Sequence, residues 1–144
     1  MMQILAIALM VVLTGIAAMH AYWGIGGRWP GRDQPTLSDI VIGKTPGGRM
    51  PPPVACFAVA AAILAGVGLI LLVSFVAMAE PWMALARAGY WIFTAVFVVR
   101  GAAGYVPAIW RASAGTAFAR LNTRYYSPLC LLLGAGLIAN LAGR

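Results

Sequence analysis

The chain alternates long apolar segments with shorter polar ones, and this alternation predicts its secondary structure. Four segments are apolar over roughly the 20 residues that a helix needs to cross the ~30 Å core of a bilayer: 3–23, 54–79, 81–100 and 126–143. The fourth is the shortest and needs its preceding tyrosines to extend it into the headgroup layer. We therefore predict an all-α fold, a polytopic membrane protein with a four-transmembrane-helix bundle, in which residues 1–144 form a single domain.

Two polar segments lie at one end of the predicted bundle. The first, 28–53, contains charged residues and a Pro-Pro-Pro run and is predicted to be a loop. The second, 108–122, places Trp110 and Phe118 on one helical face and its arginines largely on another. This pattern predicts an amphipathic helix that lies along the membrane surface.

The composition excludes a water-soluble globule. Hydrophobic residues make up 62% of the chain and charged residues only 9%, which is too little polar surface to cover a water-facing protein of this size. The net charge of +7 resides mainly in loops, so it predicts a partnership with the lipid bilayer and its anionic headgroups and not with nucleic acid. Four basic residues are assigned to the membrane surface: Arg28, Arg111, Arg120 and Arg124.

The distribution of basic residues also predicts the orientation. The two loops that share one side of a four-helix topology contain Arg28, Arg32, Lys44, Arg49, Arg111, Arg120 and Arg124, whereas the other side contains only Arg87 and Arg144. An excess of positive charge marks the cytoplasmic side of a membrane protein. We therefore predict that loops 28–53 and 111–124 are cytoplasmic and that both termini are extracytoplasmic.

A spacing of glycine and proline recurs along the chain. The pattern Gly24-x-x-Gly27-x-x-Pro30 returns as Gly101-x-x-Gly104-x-x-Pro107, and the same offset carries Pro51 onto Pro128. Two tandem helical hairpins, related by an axis along the membrane normal, would produce this pattern. Two independent helix stops would produce it equally well, so both interpretations stay open.

The sequence contains no motif that identifies a reaction. Cys56 and Cys130 lack a Cys-x-x-Cys spacing and His20 is the only histidine, so we predict no metal site. Gly43-Lys44-Thr45 resembles the end of a phosphate-binding loop, but the earlier glycine is missing and Pro46 breaks the helix that must follow. We therefore assign no catalytic residue and no cofactor.

The candidate site lies at the predicted cytoplasmic boundary, where folding the helices back and forth brings several unusual side chains to one depth. The ligand-binding candidates are His20, Trp23, Arg100, Tyr125 and Tyr126. One interpretation is an interfacial belt of aromatic and arginine residues. The other is a polar pocket for a lipid or quinone-like headgroup or a small anion, with Gly24, Gly27, Gly101 and Gly104 allowing the backbone to approach the ligand. The histidine favours the pocket, because a belt does not require one.

Two motifs carry a resemblance to a known family: His20-x-Tyr-Trp-x-x-Gly-Gly-x-Trp-Pro30 and Phe118-Ala-Arg-Leu-Asn-Thr-Arg-Tyr-Tyr-Ser-Pro-Leu-Cys130. With them the chain resembles small bacterial four-helix integral-membrane proteins of unknown function. The resemblance implies the fold and a bacterial inner membrane, and it supplies no activity. In that family an aspartate is frequent at the position of Asn122, and a more polar stretch often follows the position of Arg100. The resemblance thus implies that any charge pairing between these two regions is weakened in this chain.

Three classes of function agree with these observations. The first is binding or transport of a small molecule, lipid or quinone-like headgroup at a polar pocket near the cytoplasmic leaflet, where transport predicts a homodimer because so small a chain encloses little space. The second is a structural or accessory subunit of a larger membrane complex, which predicts a one-sided apolar surface matched to a partner. A small membrane enzyme is the least supported, because the sequence contains no metal-ligand set and no serine with a positioned histidine and acid.

Overall fold

Six α-helices make up most of the described part of the chain, which is residues 1–143 of a computed structural model. They are α1 (Met2–Gly24), α2 (Gln34–Val41), α3 (Pro53–Phe75), α4 (Trp82–Ala103), α5 (Ala117–Leu121) and α6 (Ser127–Ala142). Two short 3-10 turns, Pro46–Gly48 and Arg111–Ser113, lie in the connections, and a π-helical turn, Asn122–Tyr126, joins α5 to α6. The structure is 76% helix with no strand among the residues it describes, which confirms the all-α prediction.

Four helical segments are long and apolar enough to cross a membrane. Three are α1, α3 and α4, and the fourth is Ala117–Ala142, in which α5, the π-helical turn and α6 form one continuous segment of 26 residues. The predicted helix over 126–143 corresponds to α6. The preceding α5 and π-helical turn extend it, and this extension supplies the length that the predicted segment lacked.

The four long helices pair as two sequential hairpins. The most extensive contacts join α1 to α3 and α4 to α6, while smaller contacts join α3 to α4 and α1 to α6. These neighbours close a ring of four helices in which α1 and α4 are diagonal to each other. The long helices thus pair in the chain order that two tandem hairpins require, while the axis that would relate the hairpins stays a prediction.

Close packing and hydrogen bonds hold the helices together, because apolar surface alone gains little by leaving lipid. Gly66 of α3 faces the ring of Phe93 on α4 so closely that a Cβ atom would overlap it. Asn140 of α6 is fully buried and donates from Nδ2 to Ser74 Oγ at 3.2 Å and to Tyr90 Oη at 3.0 Å. Through these bonds one amide connects α6 to both α3 and α4.

The predicted surface helix over 108–122 is wrong as a single element. Gly115 has a φ of +82°, in the left-handed region that interrupts a right-handed helix, and the Thr116 side chain accepts a hydrogen bond from the Ala119 N–H at 3.2 Å. A helix therefore begins anew after Thr116. The predicted division of its side chains is observed, since Phe118 is buried and the arginines are exposed.

The segment 28–53 contains a helix that the sequence analysis did not predict. Asp33 is the N-cap of α2: its Oδ1 accepts from the Thr36 N–H at 2.9 Å, and the Thr36 hydroxyl oxygen accepts from the Asp33 N–H at 3.1 Å. At the other end of the bundle, α3 ends at Phe75 instead of residue 79. Val76 is extended there, with φ −112° and ψ 125°.

Candidate functional site

The candidate site residues lie at one end of the bundle, where α1 and α4 end and where α3 and α6 begin. We call it the basic end. The four arginines that were assigned to the membrane surface are all exposed there: Arg28, Arg111, Arg120 and Arg124. They leave this end of the protein positively charged and open to anions.

His20 and Trp23, in the last turns of α1, line a cavity of about 180 Å³ against the start of α3. An open groove of about 460 Å³ adjoins it and shares Trp23, Met50 and Pro51 with it. We call the two cavities together the α1 cleft. Its lining is mainly apolar and includes Ala55 and Cys56 of α3.

The hydrogen bonds of the cleft orient its two aromatic side chains. His20 Nδ1 lies 2.8 Å from the Ile16 carbonyl oxygen, which can only accept, so Nδ1 carries the proton and Nε2 is the acceptor in the neutral ring. The imidazole contacts the Trp23 ring at 5.1 Å between centroids, and the Trp23 indole N–H donates to the Trp29 carbonyl at 2.8 Å. A ligand in the smaller cavity would therefore meet a mainly apolar wall beside His20, and one in the larger groove would also meet the polar side chains of Gln34 and Arg49.

Arg100 lies in the last turn of α4 and is half-buried. Its Nη2 donates to Asn122 Oδ1 at 2.8 Å, and its guanidinium carbon lies 4.9 Å from the centroid of the Trp110 ring. Its Nη1 is buried and has no hydrogen-bond partner among the described residues. The two regions that the family resemblance connected are thus in contact, through a neutral amide.

Asn122 and its neighbours hold Arg100 in place at the start of the π-helical turn. The Asn122 Nδ2 donates to the Gly104 carbonyl at 3.3 Å, and the Ser127 hydroxyl donates to Asn122 Oδ1 at 3.4 Å. We call Arg100, Gly104, Trp110, Asn122 and Ser127 the Arg100 knot. A π-helical turn inserts an extra residue into a helix and often marks a functional position.

The two candidate tyrosines form no hydrogen bond or ring contact with His20, Trp23 or Arg100, although Tyr126 is linked to the Arg100 knot through the Phe118 ring, which contacts Trp110 at 5.2 Å between centroids. Tyr126 is half-buried, packs against Phe118 and donates from its hydroxyl to the Ile40 carbonyl at 3.2 Å. Tyr125 is 53% exposed, with the Arg124 guanidinium 5.4 Å from its ring centroid. Tyr126 thus links the segment 28–53 to the fourth span through its hydrogen bond to Ile40, and Tyr125 faces outward.

The contacts of the five ligand-binding candidates therefore fall into separate groups. His20 and Trp23 line the α1 cleft, Arg100 belongs to the knot, Tyr126 borders the knot through Phe118, and Tyr125 is exposed. The physical reason is the ring of helices: α1 and α4 end at the same depth but are diagonal to each other, with α3 and α6 between them.

The glycines that were expected to admit a ligand face side chains of this chain instead. A Cβ atom on Gly24 would meet the Phe57 ring at 3.0 Å, and one on Gly101 would meet Leu131 at 2.7 Å. Gly27 lies against the Tyr22 ring, and Gly104 lies against Ser127. All four permit close packing within the protein.

Sequence reasoning did not place Asn122, Trp110 or Ser127 among the site residues. Trp110 lies at the same end of the bundle as the candidate aromatic residues, so the argument from depth could have included it, but the sequence pattern places it in the predicted surface helix. Asn122 and Ser127 could have been singled out as polar residues at the start of the fourth span. Both are buried.

The described residues offer no arrangement for a metal ion. Among residues 1–143, no three His, Cys, Asp or Glu side chains gather into a group that could hold one. Both cysteines are free thiols; Cys56 is buried beside the cleft, and Cys130 is half-buried in α6.

Comparison with known proteins provides a family and no activity. The profile of a family described as "Protein of unknown function (DUF3995)" matches residues 13–137, which include both the α1 cleft and the Arg100 knot. No curated protein and no solved structure matches the chain. Its function is therefore argued from its own geometry.

Proposed function

The chain belongs to the DUF3995 family of proteins of unknown function, and we propose that it binds a membrane-soluble small molecule whose polar head enters the α1 cleft beside His20. The observation that carries this proposal is the His20 ring at the cavity wall, with Nδ1 committed to a backbone carbonyl. The remaining ring nitrogen, Nε2, is the group that a ligand would engage.

The size and lining of the cleft support a ligand of moderate size. Its larger part has a volume of about 460 Å³, within the range of roughly 300–1,000 Å³ that is common for small-molecule sites. Its walls carry Trp23, Met50 and Pro51, which suit an apolar body. A ligand that reaches the cleft from the bilayer would bury that body and leave its polar head near the histidine.

The hydrogen bonding of His20 selects the chemistry of that head. Because Nε2 accepts a hydrogen bond in the neutral ring, its partner must be a hydrogen-bond donor. A hydroxyl or an amine is such a donor, and a quinone carbonyl is not. Among quinone-like headgroups the reduced dihydroxy form therefore fits the site. A carbonyl oxygen cannot accept a hydrogen bond from Nε2 of the neutral ring and would bond to His20 only if that nitrogen were protonated.

We place the basic end of the bundle on the cytoplasmic side of a bacterial inner membrane. The excess of basic residues in the two connections at this end supports that orientation. The cleft would then open at the cytoplasmic leaflet, and transport through it would require a second copy of the chain, since one bundle this small encloses little space.

A binding experiment on the purified protein tests the proposal. In lipid nanodiscs under anaerobic conditions, a short-chain benzoquinol should bind more tightly than the matching benzoquinone. Ala55→Leu, which adds volume to the cavity wall, should weaken quinol binding roughly tenfold, because one lost favourable contact of about 1.4 kcal/mol has that effect. Ala58→Leu is the matched control, because Ala58 is exposed on the same helix and lines neither cavity.

Two outcomes would contradict this proposal. Equal quinol binding by the Ala55→Leu and Ala58→Leu variants would show that the cleft is not the site, and equal affinity for quinol and quinone would remove the role assigned to His20. Mass spectrometry of material that co-purifies in mild detergent tests the alternative of an accessory subunit. A stoichiometric protein partner that shields Ala55→Cys from thiol labelling would favour that alternative.

A further inference from the structure

Among residues 1–143, no carboxylate forms an ion pair with the Arg100 guanidinium. The chain has three acidic residues, Asp33, Asp39 and Glu80. Asp33 Oδ1 accepts hydrogen bonds from Thr36, and Asp39 Oδ2 accepts from the Ala117 N–H at 3.2 Å. Glu80 precedes α4, whose rise of about 1.5 Å per residue places Arg100 roughly 27 Å away from the start of that helix. The Arg100 knot thus contains a cation and no anion.

The partners that Arg100 does have compensate its charge only in part. Asn122 provides a neutral amide oxygen, and the face of the Trp110 ring provides a weak cation–π contact. The Nη1 group is buried without a partner. Leaving a charged donor buried and unpaired is costly, so a site of this kind is completed by an acceptor that carries negative charge.

We propose that the Arg100 knot binds a phosphate group at the membrane interface, separately from the ligand of the α1 cleft. The guanidinium edge matches a phosphate because its N–H groups form a planar fork. Trp110 is fixed on the guanidinium face by its indole N–H bond to the Ala103 carbonyl at 2.7 Å, so the anion approaches the edge. Because Nη1 is buried, the proposal requires the 104–116 connection, which carries Trp110, to shift before a phosphate oxygen can reach that atom.

The surroundings of the knot determine where the phosphate comes from. Arg100 ends a membrane-spanning helix at the basic end, where the exposed Arg111 and Arg124 attract anions. An anionic phospholipid headgroup and soluble phosphate share the required chemistry. The experiment therefore includes both sources.

The test is native mass spectrometry of the detergent-purified protein with phosphatidylglycerol, with zwitterionic phosphatidylcholine, and with inorganic phosphate. We expect retention of phosphatidylglycerol over phosphatidylcholine, and an affinity roughly ten- to hundredfold lower for Arg100→Gln. Arg124→Gln is the matched control: it removes the same charge from an exposed arginine at the same end, and its affinity should fall by much less. Arg100→Lys, which keeps the charge without the fork, should bind with intermediate affinity.

Asn122→Asp keeps the proposal testable if Arg100→Gln does not fold. It places a carboxylate on the atom position that already accepts from Nη2, so the variant should fold and should lose phosphatidylglycerol. Equal retention by wild type, Arg100→Gln and Arg124→Gln, or undiminished retention by Asn122→Asp, would overturn the proposal. Binding of inorganic phosphate that excludes phosphatidylglycerol would support the site and identify its ligand as soluble; binding of neither would refute it. Unchanged benzoquinol binding by Asn122→Asp would show that the two sites are independent.

Discussion

At the basic end, a residue without a side chain can matter as much for packing as a residue that forms hydrogen bonds. Gly104 is the clearest case, because the absence of a side chain lets α4 approach the start of α6 until Ser127 and Asn122 fill the space. The close approach brings Asn122 within hydrogen-bonding distance of both Arg100 and the Gly104 carbonyl. In the sequence Gly104 indicates only the end of a helix. In the structure its lack of a side chain is what allows the Arg100 knot to pack closely.

We predict that Gly104→Ala destabilises the protein by about 1–3 kcal/mol, the usual cost of overpacking a close contact. The new Cβ would coincide with Ser127 Oγ and would lie 3.2 Å from Asn122 Nδ2. Thermal unfolding in detergent, compared with wild type, measures the effect. Gly15→Ala is the control: nothing lies within 4 Å of that position, so it should be neutral or slightly stabilising. A Gly104→Ala variant as stable as Gly15→Ala would refute the packing described here.

At the scale of elements, short connections decide how the hairpins are closed at the basic end. The helix α2 is capped by Asp33 and contacts α5 through Asp39, and Tyr126 bonds to the carbonyl of Ile40. These bonds tie the connection of the first hairpin to the fourth span. The polar segment 28–53 is therefore a folded cap on the bundle and not a free loop.

We predict that the capping box of α2 weakens in acid. The Thr36 hydroxyl and N–H donate to the Asp33 carboxylate and, helped by Arg28 and Arg32, hold the pKa of Asp33 below its usual value. Because the folded-state pKa is depressed, this stabilisation is fully present above the unfolded-state pKa of about 3.9 and is lost as the pH falls through the folded-state value.

Carboxyl-carbon NMR of the aspartates measures this titration, with Asp33→Asn to assign the signal. In wild type, Asp33 should titrate below the usual range, and in Thr36→Val its pKa should rise towards that range. An Asp33 pKa that is the same in both proteins would show that Thr36 does not stabilise the carboxylate.

At the scale of the whole molecule, two hairpins form a ring in which α1 and α4 are diagonal. The two sites at the basic end therefore lie on different hairpins. The α1 cleft is formed by the first hairpin and the segment that connects its helices, and the Arg100 knot lies where the helices of the second hairpin are connected. A buried hydrogen-bond network through Asn140 joins the two hairpins near the opposite end, where α3 ends and α4 begins.

We predict that the basic end faces the cytoplasm. In a background with Cys56→Ala and Cys130→Ala, Glu80→Cys should react with a membrane-impermeant maleimide in intact cells, and Lys44→Cys should react only after permeabilisation. Both positions are exposed in the structure, so permeabilised cells provide the control for reactivity. Labelling of Lys44→Cys alone in intact cells would reverse the orientation.

The sequence by itself determined the number and approximate position of the four spans. A run of about 20 apolar residues is a local property of the sequence, and it is sufficient for a helix to cross the bilayer core. For this reason α1, α3 and α4 begin and end within a few residues of prediction. The exposure of the four surface arginines followed from the same local pattern. The local pattern did not predict the end of α3 at Val76 or the interruption at Gly115, because each depends on the backbone angles of a single residue.

Only the tertiary structure decided which residues meet. Depth along the membrane follows from the sequence, because each residue adds a fixed rise to its helix, and His20 and Arg100 were correctly assigned to one end. Lateral position depends on which helices pair and how each is rotated, and no local period encodes that. The ring of helices therefore separates His20 from Arg100, brings Asn122 to Arg100, and buries Asn140 between Ser74 and Tyr90.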